Sequence, residues 1–215
     1  GNLPHVLNRM PAWIDEVALP LAPPVITSSA TATGEVGASF SYSIVASNSP
    51  WGYSATGLPP GLTVSSNGLI SGTPTQVGTY IVMATAASGA GSVTQAITVT
   101  INKGAQTIPF AALDNKFFTT PSVAMPAITG GGSGNPVTYA SSGVCTSSGL
   151  NGSVIQLSGA LGTCSVTASQ LGDTNYLDAT PVTQSFLVFD PARENFPTNC
   201  VMPAGWVGAA GLGWA

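Results

Sequence analysis

The chain has 215 residues, of which 26 are Gly and 17 are Pro, and only 6% are charged, where about 25% is usual. Four Lys and Arg residues are too few for a surface that follows a phosphate backbone, which excludes a nucleic-acid-binding protein. A single histidine, His5, argues against a histidine-rich metal site or a histidine relay. Low charge also accompanies disorder, but disorder requires low hydrophobicity as well. Because 44% of the residues are apolar, the composition predicts packed cores.

Period-2 alternation of apolar residues predicts short strands between residues 25 and 102. Phe40, Tyr42 and Ile44 alternate with serines, which is typical of a half-buried strand. The same alternation recurs over residues 80–86 and 97–101. Turn-forming residues rich in Gly, Pro and Asn separate these runs, and strands at this spacing predict a β-sandwich.

A specific motif lies within this first segment. The run Gly57-Leu58-Pro59-Pro60-Gly61-Leu62 is followed by Asn67-Gly68-Leu69-Ile70-Ser71-Gly72-Thr73-Pro74 and then by Gly78-Thr79-Tyr80. It closely resembles the immunoglobulin-like (Ig-like) repeat of large bacterial surface proteins, which is related to cadherin-like and dystroglycan-like modules. The resemblance covers residues 23–102 and implies a seven-stranded Greek-key sandwich over residues 24–102.

A second segment, residues 103–189, has sequence motifs that differ from those of the first. The run Gln106-Thr107-Ile108-Pro109-Phe110 is expected to open a new strand, and Gly162-Thr163-Cys164-Ser165-Val166-Thr167-Ala168 alternates strongly. These runs, in this order, are similar to another bacterial Ig-like repeat that occurs in tandem on surface and secreted proteins. We therefore expect an all-β chain of two tandem Ig-like Greek-key β-sandwiches. The linker of a few residues at 102–105 predicts that the two meet end to end as a stiff rod.

Two of the three cysteines fall in this second segment. Cys145 and Cys164 both occupy strand or strand-edge positions, so we predict a disulfide between them. The alternatives are two buried free thiols, or zinc, for which no histidine is at hand. A disulfide would indicate an oxidising compartment.

Both ends of the chain fall outside the two segments. Residues 1–23 are expected to form an arm or linker, with a helical turn permitted at residues 11–19. Residues 190–215 form a tail whose Met202-Pro203-Ala204-Gly205-Trp206 resembles the opening of a jelly-roll domain found after Ig repeats. The alternative is a tail that docks its two tryptophans on the second sandwich. Cys200 has no partner within the chain on either interpretation.

No catalytic set emerges from the titratable residues, so we predict that the chain is not an enzyme. Asp173 and Asp178 lie five apart and have the residue type of a glycosidase pair, but a solvated loop is the favoured interpretation. Together with Asp190 they offer at most a weak calcium site. The run 130–134 is rich in glycine but lacks the Lys of a phosphate loop, which favours a flexible turn. We expect no metal and no cofactor.

Aromatic residues in predicted loops are the candidates for ligand binding. Trp51 and Tyr53 flank Gly52 after a turn, and Tyr176 lies in a later loop. Such side chains stack on sugar rings or anchor a protein partner. The simpler interpretation is that Trp51 covers the end of its own sandwich.

These observations predict a non-enzymatic Ig-like fragment of a bacterial cell-surface or secreted protein that acts as a stalk, spacer or adhesion module. The alternative is an accessory carbohydrate-binding module of a secreted hydrolase. Expected partners are neighbouring Ig-like domains of the same polypeptide, with a glycan or a surface protein as the candidate ligand. We expect no nucleic acid, no membrane insertion within this chain, and an extracellular or cell-surface location.

Overall fold

A computed structural model describes residues 21–192 of the chain. The predicted helical turn at residues 11–19, His5, Cys200 and the tail beyond Ala192 lie outside these residues. The described residues form two compact units. The first unit comprises residues 21–105 together with Thr174–Tyr176, and the second comprises residues 106–173 and 177–192. The domain boundary between residues 102 and 103 stays a prediction.

Seven strands build the first unit: β1 (Thr31–Glu35), β2 (Phe40–Ser43), β3 (Gly52–Thr56), β4 (Leu62–Val64), β5 (Leu69–Gly72), β6 (Gly78–Ser88) and β7 (Gly91–Asn102). They form a four-stranded sheet of order β1-β7-β6-β3 and a three-stranded sheet of order β2-β5-β4. β1 runs parallel to β7, and the other pairs are antiparallel.

The alternating residues predict this arrangement because each strand presents one apolar face to the space between the sheets. Val82, Ala84 and Ala86 of β6 are fully buried, while the residues between them face outward. The chain crosses from β3 to β4 through Gly57 and Gly61, whose φ angles are +75° and +90°. A Cβ at Gly61 would lie 2.1 Å from the carbonyl oxygen of Thr73, so only glycine fits this crossing.

Seven further strands build the second unit: β8 (Lys116–Phe117), β9 (Ser122–Ala124), β10 (Thr138–Gly143), β11 (Cys145–Ser148), β12 (Val154–Leu157), β13 (Gly162–Ser169) and β14 (Val182–Phe189). Their sheets have the orders β10-β13-β14-β8 and β11-β12-β9, and β8 runs parallel to β14. Counted from the first strand of each unit, both units have the orders 1-7-6-3 and 2-5-4. The predicted fold of two tandem Ig-like Greek-key β-sandwiches is confirmed.

The strand predicted over residues 106–110 is absent from the described chain. Ile108 and Phe110 are buried as the alternation requires, but no neighbouring strand pairs with them. Pro109 has no N–H to donate, and the N–H of Phe110 turns back to the carbonyl of Ile108 at 2.9 Å. The segment therefore contributes side chains to the core without joining a sheet.

The loop at residues 130–134, which we predicted to be a flexible turn, is held by two buried glutamines. Gln170 accepts a hydrogen bond from the N–H of Gly131 at 2.8 Å and donates to the carbonyl of Asn135 at 2.7 Å. Gln106 accepts from the N–H of Ser133 at 3.1 Å. Because both glutamines are at most 8% exposed, these bonds replace the water that the side chains lose.

A disulfide joins the two sheets of the second unit. It connects Cys145 at the start of β11 with Cys164 in β13, and the two Cα atoms are 5.6 Å apart. Both cysteines are almost completely buried in the core. Closing a loop of sequence separation 19 contributes about 3 kcal/mol in the chain-entropy model.

We predict that loss of this disulfide destabilises the second unit alone. Scanning calorimetry should show two transitions, of which one moves to lower temperature after reduction or in the variant Cys145→Ala/Cys164→Ala. The expected loss is about 3 kcal/mol, while the other transition keeps its temperature. Equal shifts of both transitions would contradict two independently folding units.

Candidate functional site

Trp51 projects into solvent from an anchored loop. Its side chain is 76% exposed, so it does not cover the end of its sandwich. Its backbone N–H donates to the carbonyl of Ala87 at 2.9 Å. Asn48 and Ser49, just before it, have left-handed φ angles of +60° and +49°, and the Asn48 side chain donates to the carbonyl of Pro23 at 2.8 Å. An indole on such a support can stack on a flat ligand.

Tyr53 lies in β3 two residues later and has a packing role. It is half-buried against the core of the first unit. Its ring sits over Gly68, where an added Cβ would lie 3.0 Å from Cγ of the tyrosine. The backbone N–H of Tyr53 donates to the carbonyl of Ser66 at 3.1 Å. Tyr53 therefore supports the loop end of the sandwich rather than offering a free ring.

Tyr176 lies at the other end of the first unit. It is half-buried and packs on the core there, with its hydroxyl 3.1 Å from where a Cβ of Gly37 would be. Tyr176 lies near the first residues of β6, whereas Trp51 lies near the last residues of that strand. Eleven residues of β6 span roughly 33 Å, so Tyr176 does not share a site with Trp51 and Tyr53.

Asp178 and Asp190 lie apart from each other. Asp178 accepts a hydrogen bond from the N–H of Gly172 at 2.7 Å, and Asp190 accepts one from the N–H of Ala192 at 2.9 Å. β14 runs between Asp178 and Asp190, and its eight residues span roughly 24 Å. Within residues 21–192 no group of three or more His, Cys, Asp or Glu residues could hold a metal ion.

Burial raises the pKa of Tyr139 in the second unit. Its hydroxyl donates to the carbonyl of Pro126 at 2.7 Å, and its ring meets the edge of Phe110. Because burial favours the neutral phenol, this contribution to stability is present below the usual pKa of tyrosine and is lost as the pH rises through the folded-state pKa. The role of Tyr139 is therefore structural.

Sequence reasoning missed two features of the outward sheet faces. Hydroxyl pairs bridge the sixth and seventh strands of both units: Thr85 with Thr94, Ser165 with Ser185, and Thr167 with Thr183, each at 2.8 or 2.9 Å. The second feature is the contact of the Phe117 and Phe189 rings, whose centroids are 5.0 Å apart. The unbroken apolar run from residue 186 to residue 189 was a signal for it, since a strand with one solvated face alternates.

Residues 23–102 match the family model described as "Putative Ig domain". This match supports an Ig-like module over these residues. The match agrees with its seven strands and with the Gly57 and Gly61 crossing. No curated protein matches this chain.

Solved structures resemble the chain only loosely. A "putative alpha-galactosidase/melibiase" of Bacteroides fragilis is 25% identical with a TM-score of 0.36, and the match covers 44% of this chain and 20% of that one. Human protocadherin-24 EC1-2 is 16% identical with a TM-score of 0.37, covering 78% and 98%. The insect immune protein hemolin is 13% identical with a TM-score of 0.44, covering 77% and 46%.

The chain spans about a fifth of the length of the two Bacteroides fragilis proteins that it resembles. With TM-scores below 0.5, these likenesses are too loose to transfer a function. Among the described residues, no helix has the length and apolar character that a membrane crossing requires.

We predict that Trp51 and Tyr53 differ sharply in their effect on stability. Trp51→Ala should change the free energy of unfolding of the first unit by less than about 0.5 kcal/mol, because the side chain is mostly in water. Tyr53→Ala should cost about 2 kcal/mol, because it removes a ring packed on the core. Urea unfolding of both variants checks this, and a large loss in Trp51→Ala would contradict a solvent-exposed role.

Proposed function

We propose that this chain is a non-enzymatic Ig-like fragment of a bacterial cell-surface or secreted protein, and that it acts as a load-bearing stalk or spacer, or as an adhesion module. The observation that carries the proposal is the parallel pairing of the first and last strands of the first unit. This pairing decides how the domain responds when its two ends are pulled apart.

β1 and β7 lie side by side over five residue pairs, from Thr31 opposite Thr98 to Glu35 opposite Asn102. The chain enters β1 at Thr31 and leaves β7 at Asn102, so the two attachment points are at opposite ends of the ladder. A pull on the chain ends therefore loads all the inter-strand hydrogen bonds in shear. Bonds loaded in shear must break together, whereas bonds at the end of a hairpin break one at a time.

The second unit is reinforced differently. β8 pairs with β14 at only two positions, so its shear ladder is short. The disulfide between Cys145 and Cys164 joins its two sheets covalently. A sandwich tied in this way retains a closed loop even when its sheets separate. Buried disulfides of this kind also suit an oxidising, extracellular compartment, which supports a surface or secreted setting.

The outward faces support a role other than catalysis. Their hydroxyl groups bond to one another across the sixth and seventh strands, so they are satisfied without a ligand. The acidic side chains Asp178 and Asp190 likewise bond to nearby backbone N–H groups. A surface whose polar groups are satisfied in this way, in a chain with only 6% charged residues, suits a spacer.

We predict that Ala32→Pro weakens the first unit against force more than Thr33→Pro does. The N–H of Thr98 donates to the carbonyl of Ala30, and the N–H of Val36 donates to the carbonyl of Asn102. Because parallel ladder bonds are evenly spaced, the N–H of Ala32 faces β7 and that of Thr33 faces away. Proline at residue 32 thus removes a ladder bond, and proline at residue 33 is the matched control.

The measurement is single-molecule force spectroscopy of the full chain held by its two ends. We expect the unfolding force of the first unit to fall clearly in Ala32→Pro and to stay near the parent value in Thr33→Pro. Equal forces in the two variants would contradict shear of β1 against β7 as the mechanical element.

A second candidate function is an accessory carbohydrate-binding module of a secreted hydrolase, favoured by the exposure of Trp51. Tyr53 and Tyr176 would not contact the sugar, since both pack on the core. We predict that any glycan bound on an array is lost in Trp51→Ala and retained in Trp51→Phe, because a smaller ring still stacks. Leu150→Ala is the control, at a side chain that is 83% exposed in the second unit. Binding unchanged in Trp51→Ala would remove this candidate.

A further inference from the structure

The outward face of the four-stranded sheet in the first unit carries two large apolar side chains. Ile81 and Met83 of β6 are 56% and 41% exposed, and they alternate with the buried residues of that strand. Across the ladder, Ile81 lies opposite Thr98 and Met83 lies opposite Ala96, both in β7. Ala96 is also exposed. We refer to Ile81, Met83 and Ala96 as the apolar centre of this face.

The registers of the two units identify the equivalent positions in the second unit. Gly78 opens β6 and lies opposite Ile101. Gly162 opens β13 and lies opposite Val188. Ile101 and Val188 are both 1% exposed, so they have the same place in the two cores. The two glycines therefore mark the same position in the two sandwiches.

At the positions of the apolar centre, the second unit has hydroxyl groups. Counted from the two glycines, Ser165 is equivalent to Ile81. Thr167 is likewise equivalent to Met83. Both hydroxyl groups are hydrogen-bonded across the ladder to β14, at 2.9 and 2.8 Å. Because the second unit folds with hydroxyl pairs at these places, the sandwich does not require exposed apolar side chains there.

The rest of the face is polar but almost uncharged. Threonines surround the apolar centre in the register of the sheet: Thr56, Thr79, Thr85, Thr94, Thr98 and Thr100. In the four strands of this sheet, Glu35 has the only charged side chain. It lies opposite Asn102, four residues along β7 from the level of Ile81, or roughly 13 Å. An apolar centre with a polar rim and few charges is typical of a protein–protein contact surface.

We propose that a second copy of this chain packs on this face, with the apolar centres of the two copies in contact across a two-fold axis. A two-fold contact places one surface against itself, so any charge near the axis would meet its own copy. The centre of this face has no charge, and self-association therefore brings no like charges together. No aromatic ring stands at the outward positions, which disfavours a sugar as the occupant.

The size of the face agrees with a weak, reversible contact. β1 pairs with one part of β7 and β3 pairs with the other part of β6, so the sheet is three strands wide at most levels. Three strands measure roughly 14 Å across, and the eleven residues of β6 measure roughly 33 Å. Two copies would bury about 1,000 Å² in total, which is the lower end of the range for specific interfaces.

This inference rests on the adhesion form of the proposed function, because it names the partner as a second copy of the chain. Weak contacts of this size become effective when many of them act together. Chains displayed on facing surfaces meet that condition. The contact uses the outward side chains of the sheet and leaves the shear ladder between β1 and β7 intact.

The test is sedimentation equilibrium of the full chain, with Cys200→Ser in every protein so that an interchain disulfide cannot imitate the contact. We expect the parent to show a monomer–dimer equilibrium below about 1 mM protein. The face variant Ile81→Ser/Met83→Thr installs the residues of the second unit. It should associate at least about tenfold more weakly and keep the calorimetric transition of the first unit, because the replaced side chains are largely in water.

The matched control is Leu150→Ser, at a side chain that is 83% exposed in the second unit, and it should dimerise like the parent. A charge exchange tests the two-fold axis. Ala96→Glu and Ala96→Lys should each be monomeric alone, because like charges meet at the contact, and a mixture of the two should associate. A mixture that stays monomeric would overturn the two-fold contact.

The inference is overturned if the parent is monomeric at about 1 mM, or if the face variant associates like the parent. It is also overturned if the parent binds a glycan that the face variant no longer binds, since a sugar would then occupy the face. A monomeric parent whose first unit still resists force would leave the stalk function standing. Equal unfolding forces in Ala32→Pro and Thr33→Pro would remove the stalk function without affecting dimerisation.

Discussion

The antiparallel pairing of the sixth with the seventh strand is the constraint on which both sandwiches depend. In the first unit this ladder joins β6 and β7 over eleven residue pairs, and in the second it joins β13 and β14 over seven. Its inward residues, such as Ile97, Val99 and Val166, are at most 1% exposed. Because these strands occupy the middle of the four-stranded sheets, the ladder fixes which side chains enter each core and which face water.

Each unit stabilises its sandwich by a different additional interaction. In the first unit the first strand, β1, pairs in parallel with β7 over five residue pairs, against two for β8 and β14 in the second unit. The second unit instead joins its two sheets through the disulfide of Cys145 and Cys164. The second unit also holds a glycine-rich loop with Gln106 and Gln170, whose amide groups are satisfied by backbone partners. Only 6% of the residues are charged, so hydrogen bonds and a covalent bond, rather than ion pairs, stabilise the periphery of each core.

The candidates for a functional role in this fold are side chains that folding does not need. Trp51 is such a residue, since its backbone is anchored and its indole is in water. Tyr53 and Tyr176 belong to the opposite class, since their rings fill space against the core. The distinction between these classes rests on burial, which residue type alone does not reveal.

The sequence by itself determined the all-β class, the strands with strict alternation and the Ig-like character of residues 23–102, because burial of one face imposes a period of two on the residues themselves. It also placed Cys145 and Cys164 in one segment. Tertiary structure decided what depends on neighbours distant in the chain. Ile108 and Phe110 alternate like a strand but have no pairing partner, and the turn at Pro109 keeps them outside the sheets. Tyr176 packs on the first unit although its sequence neighbours belong to the second, because packing follows proximity in space rather than order along the chain.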